Sequence, residues 1–162
     1  MTHDPHARVD PDDSLGRASV WRDLVLATHV LETALDRQSQ REGGVSHGHF
    51  KILVLLHAAE GHTVGLKRIA ETLRFSPSRI SHAVTALERQ GLVERRPATS
   101  GRRAYDAVLT GEGRRVVRRV LRSQRREIRD PLLDELGGPG TAALGDLSAR
   151  IIARFGEGTG EG

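Results

Sequence analysis

Apolar residues recur along most of this chain at three- and four-residue spacing, and glycine, proline or a short alternating run stands wherever that rhythm stops. From about Ser14 to Arg41, positions Val20, Trp21, Leu24, Thr28, Leu31 and Leu35 share one helical face, and the glycines of REGGVSHGH end the run. Ser46 can cap a second helix carrying Phe50, Leu53, Val54 and Leu56, closed by Gly61. LKRIAETL predicts a third, short helix with Leu66, Ile69, Ala70 and Leu73 together.

The stretch SPSRISHAVTALERQ predicts a fourth helix with well-marked ends. Ser76 is an N-cap, and Pro77 occupies the first helical position, where its missing N–H costs nothing. Ile80, Ala83, Val84 and Leu87 form the apolar face, while Ser78, His82, Thr85 and Arg89 fall opposite. Two short helices joined by the tight turn RFSP make a helix-turn-helix, a motif whose second helix lies in the major groove of DNA. VERRP, ATSGRR and AYDAVLT then read as strand, loop and strand, with Tyr105, Ala107 and Leu109 alternating with Ala104, Asp106 and Val108. A hairpin directly after a helix-turn-helix is a wing. Ser78, Arg79, His82 and Thr85 are the candidates for reading base edges, where arginine pairs well with guanine. Ser76, Arg89 and the wing-tip residues Arg102 and Arg103 complete the DNA-binding set, the tip suiting a narrow, negative minor groove.

Thr110 caps a long helix expected from about Glu112 to Leu136, with Val117, Val120, Leu121, Gln124, Ile128 and Leu132 as its seam and Pro131 as a bend. GGPG reads as a loop, and TAALGDLSARIIARF as a last helix with Leu144, Leu147, Ile151 and Phe155 on one face. These helices and the first one carry more apolar surface than a small winged-helix core can cover. Packing against a second copy resolves the excess and places two recognition helices ~34 Å apart, the spacing of a palindromic operator. The expected architecture is mainly α with a small β-hairpin wing. Residues 46–111 form the winged helix-turn-helix, residues 14–45 and 112–156 a helical dimerisation region, and residues 1–13 and 157–162 disordered or frayed tails.

Charge sharpens this picture. The net charge is +4, yet residues 67–129 hold 17 basic and 6 acidic side chains, while the segments on either side are net negative. A basic centre coinciding with the recognition helix and wing is the footprint of a polyanion-binding surface. The 23 arginines against two lysines match an arginine-biased genome, which does not explain why the acids avoid the centre. With no cysteine, disulfides, thiol catalysis and cysteine-ligated zinc are excluded. Five aromatic residues disfavour folds that stack bases. The polar start of the chain and the short apolar run ILVLLHAA argue for a soluble, cytoplasmic protein with no membrane span.

LKRIAETLRFSPSRISHAVTALERQGLVERRPATSGRRAYDAVLTGEGRRVV resembles the MarR family of bacterial transcriptional regulators, and the resemblance extends over roughly residues 18–155. It implies a homodimer whose helical dimerisation domain is built from both chain ends. It also implies transcriptional control, most often repression relieved by a small ligand; a small anionic or aromatic effector is the candidate. His82 stands where the family often has arginine, and Arg103 matches the arginine that enters the minor groove. Gly101 departs from the family's usual aspartate, which pairs with that arginine and stiffens the wing, so a more mobile wing is expected. Trp21, His29, His49 and Arg118 are the candidate effector-binding residues, with core packing the alternative for Trp21. His29, His47, His49 and His57 also raise a metal-responsive alternative, although they show no established ligand spacing. No cofactor and no local catalytic arrangement is readable, so no enzyme is expected. A winged helix serving a protein partner remains the other alternative.

Overall fold

The computed structural model describes residues 14–98 and 104–156. Helix α1 (Ser14–Gly43) ends where Gly44 takes a left-handed φ of 65°. Helix α2 (His47–Ala58) opens on Ser46, whose Oγ accepts from the His49 N–H at 3.2 Å. A single 3₁₀ turn, Glu60–His62, leads to strand β1 (Thr63–Gly65), followed by α3 (Leu66–Leu73) and α4 (Pro77–Arg89). Strands β2 (Val93–Pro97) and β3 (Tyr105–Leu109) complete an antiparallel sheet of order β1-β3-β2, with Val64 opposite Ala107 and Arg95 opposite Ala107 from the other side. Thr110 Oγ1 accepts from the Gly113 N–H at 3.0 Å and so starts α5 (Gly111–Gln124). A widened π turn, Arg125–Arg129, then joins α6 (Asp130–Phe155).

The core lies where α2, α3, α4, the sheet and the first half of α5 meet. Phe50, Ile52, Leu53, Leu56, Ile69, Val93, Ala107, Leu109, Val117 and Val120 are buried there, together with the predicted face of α4: Ile80, Ala83, Val84 and Leu87. The four-helix series before the wing and the wing strands follow the sequence pattern closely.

Three features do not. Strand β1 was not anticipated, because three residues carry no periodicity and become a strand only by pairing with β3. The helix expected over 112–136 is interrupted by the π turn just ahead of Pro131, which has no N–H to offer the preceding turn. GGPG is a one-residue break at Gly137 (φ 62°, ψ −177°) rather than a loop, and Pro139 sits in the first turn of the restarted helix. Trp21 lies on the open face of α1. Its side chain is 64% exposed, because nothing in the described chain lies over the first half of α1.

The Ser76 cap has a measurable weight. Its Oγ accepts from the Arg79 N–H at 3.3 Å, and Ser76→Ala is expected to lower the unfolding free energy by about 1 kcal/mol in urea denaturation. An unchanged midpoint would mean that solvent caps α4 equally well.

Candidate nucleic-acid interface

Helix α4 presents three stripes. One is the core face. A second carries Ser81, Thr85 and Glu88, at i, i+4 and i+7, toward β2. The third, exposed, carries Ser76, Ser78, Arg79, His82 and Arg89. Five of the six DNA-binding candidates on this helix and its cap are therefore exposed to solvent. Thr85 is the exception, lying off this exposed stripe. It is half-buried, its hydroxyl donates to the Ser81 carbonyl at 2.9 Å, and it accepts from Arg95 Nη2 at 2.9 Å. A helical wheel assigned it outward because the wheel contains no β2.

Arg79 is held rather than loose. Its guanidinium lies over the Phe75 ring, 3.8 Å from the centroid, so the turn residue Phe75 orients the charge at the start of the recognition helix. In the sequence Phe75 reads only as part of a turn, and nothing in VERRP sets Arg95 apart. Gly101, Arg102 and Arg103 lie outside the described residues. Of the arginines on α5 and the π turn, Arg115 pairs with Glu112, Arg125 and Arg129 with Asp130, and Arg126 with Glu127. These four form an ion-paired, solvated face.

The four effector candidates are not brought together. His29 lines a groove of about 650 Å³ with Glu32, Asp36, His47, Lys51 and Arg79. His49 lines the adjoining groove with Ser46, Phe75, His82 and the same Arg79. Trp21 lies roughly 12 Å up the helix from His29, and Arg118 is an exposed residue on α5 near His57. The shared wall, Phe75 with Arg79, couples both grooves to the base of the recognition helix.

The histidines have distinct settings. Burial lowers the His49 pKa below the ordinary 6.5, and the charge of Arg79 lowers it further. Burial also lowers His47, against the opposing pull of Glu32, and lowers His57, helped by His62, Arg118 and Arg114. Each fold-state imidazole thus resists protonation more than it does in the unfolded chain. Stability is full above the unfolded value of about 6.5 and is lost as pH falls toward the lowered folded values. Melting temperature should fall as pH drops below about 6.5, and His49→Gln should flatten part of that slope; an identical slope would remove His49 from the account.

Among the described residues, no three His, Asp or Glu side chains converge as metal ligands. His57 and His62 stack at 5.4 Å, and His47 Nε2 faces Glu32 Oε2 at 3.5 Å. Ser39 Oγ lies 3.5 Å from His47 Nδ1, which aligns a serine, a histidine and a glutamate. Ser39 is 0% exposed and its hydroxyl already accepts from Gln124 Nε2, so no substrate reaches it. This is a polar joint between α1, α2 and α5.

The model of the MarR family matches residues 45–105, the winged helix-turn-helix. The Escherichia coli HTH-type transcriptional regulator PrsX is 31% identical over 81 residues, covering 50% of this chain and 49% of that protein, so the chain spans about half the length of this curated relative. The Bacillus subtilis HTH-type transcriptional repressor YetL is 31% identical over 111 residues, covering 67% of this chain and 66% of YetL. Among solved structures, Sco3205 from Streptomyces coelicolor, a MarR family transcriptional regulator in complex with DNA, is 34% identical, covers 84% of both chains and superposes with a TM-score of 0.78. With the recognition helix, the wing strands and this extended likeness all in place, the chain belongs to the MarR family of transcriptional regulators.

Proposed function

We propose that the protein is a homodimeric regulator that binds a palindromic operator in double-stranded DNA and represses transcription until a small anionic or aromatic effector is bound. The observation that carries this reading is the third stripe of α4: a capped helix, anchored by a fully buried opposite face, holding Ser78, Arg79, His82 and Arg89 in solvent beside an antiparallel wing. The DNA held by Sco3205 and the repressor activity named for YetL support the same reading.

Residues 46–111 supply the DNA-binding lobe, and residues 14–45 with 112–156 pair two copies. Support for pairing comes from α6, which buries none of its side chains within the described chain, and from the exposed Val20, Trp21, Val25 and Leu26 of α1. The effector reading rests on the two grooves that share Arg79, a size and chemistry suited to a small carboxylate or phenolate. The protein works in the cytoplasm and without catalysis; no helix among the described residues is long and apolar enough to cross a membrane.

Fluorescence anisotropy with the intergenic DNA beside its own gene, at two salt concentrations, tests the reading. Binding should survive random competitor and fall steeply with salt, since each phosphate contact releases condensed counterions. Arg103→Ala should weaken the native fragment more than random DNA. Weak, equal binding to all duplexes would favour a winged helix that serves a protein partner.

A further inference from the structure

The sheet order makes β2 an edge strand, and an open edge leaves backbone groups without partners. Here the recognition helix meets that edge at Arg95. The Arg95 N–H donates to Glu88 Oε1 at 3.1 Å. From the same residue the guanidinium reaches back along α4, where Nη2 donates to the Ser81 carbonyl at 3.2 Å and to Thr85 Oγ1 at 2.9 Å. All three acceptors belong to the second stripe of α4, over two turns. Tyr105 of β3 stands on the same side, its ring centroid 5.9 Å from the guanidinium carbon.

The contrast with its neighbour is informative. Arg96 is exposed and paired with Glu94, whereas Arg95 is half-buried, turns its donors inward, and leaves Nε buried without a partner. A guanidinium withdrawn from water to this extent serves a geometric end rather than charge attraction.

We propose that Arg95 is the positioning residue that sets the wing against the recognition helix, so that both DNA-reading elements approach the duplex as one rigid unit. The inference rests on the DNA-binding reading above. A wing freed from α4 still meets phosphate but loses register, so the loss falls on discrimination between sequences and not on general affinity.

The test uses a duplex that the wild-type protein selects from a randomised library, with an unselected duplex of equal length as reference. Arg95→Met removes the donors and the charge; Thr85→Val removes one acceptor and leaves the charge. Arg95→Met should lower the selected-over-unselected affinity ratio about tenfold, and Thr85→Val about threefold, both with an unchanged salt slope. The double variant should be no worse than Arg95→Met, because both remove one contact, and Arg95→Lys should recover part of the ratio. A salt slope lowered by about one in Arg95→Met, with equal losses on both duplexes, would make Arg95 a phosphate contact and overturn the assignment. Multiplying losses in the double variant would overturn it too. Should Arg95→Met fail to fold, Thr85→Val alone decides by its ratio. If the wild type selects no duplex, the DNA-binding reading fails by itself. Amide exchange then tests the clamp: faster exchange over 81–88 and 93–97 in Thr85→Val supports it, and unchanged exchange sinks it.

Discussion

Replacing Gly113 with alanine is expected to destabilise the fold by at least about 2 kcal/mol, against the sign that helix propensity alone would give. Gly113 is the third residue of α5, and alanine normally favours a helix over glycine by about 1 kcal/mol. Here an added Cβ would lie 2.3 Å from the Leu92 carbonyl oxygen and 2.6 Å from Leu109 Cδ1. Neither can give way easily. The Leu92 carbonyl accepts from both the N–H and the hydroxyl of Thr110, each at 3.1 Å, and Leu109 is buried in the core. Steric overlap with fixed backbone therefore outweighs the propensity gain. Urea denaturation measures the effect, with Gly111→Ala in the same helix as reference, since a Cβ there meets only the flexible end of Arg114 at 3.7 Å. Gly111→Ala should be neutral or mildly stabilising. A Gly113→Ala midpoint at or above wild type would show that α5 can shift off the sheet without cost.

Putting two aspartates on α6, as Leu147→Asp with Ile151→Asp, should convert the protein to a monomer and lower operator affinity by about 100-fold or more. Both side chains lie on the exposed apolar stripe with Leu144 and Phe155, the last 71% exposed. A charge placed in a paired apolar interface must be desolvated without a partner, which separates the copies. Each copy would then hold one half-site, and the gain from tethering two recognition helices would vanish. The winged-helix core should stay folded, because α6 buries no side chain within the described chain. Sedimentation velocity reports the assembly and anisotropy the affinity. A variant that stays dimeric, or a monomer that binds as tightly as wild type, would remove α6 from the pairing surface.

The α6 stripe and the Gly113 contact differ in how far apart in the chain their causes lie. The apolar stripe of α6 is visible as a pattern, because Leu144, Leu147, Ile151 and Phe155 follow helical spacing within one segment. The clash at Gly113 is not, since it depends on Leu92, a residue 21 positions away whose carbonyl reaches α5 only through the β2–β3 pairing. The grooves that share Arg79 were equally hidden. His29 and His49 were named from residue type, yet the wall that joins them comes from the turn before α4 folding against α2.

Local chemistry determined the helices, their caps and the wing strands: Ser46, Ser76 and Thr110 bond to N–H groups three residues on, and such contacts need no other part of the chain. The family likeness followed from the same local stretch. Tertiary packing alone decided which polar residues on α4 face solvent and which are occupied. Thr85 and Ser78 look alike on a helical wheel; the arrival of Arg95 from β2 half-buries one, while the other stays exposed. Periodicity records which face a residue occupies, and it takes a neighbouring element to say what that face touches.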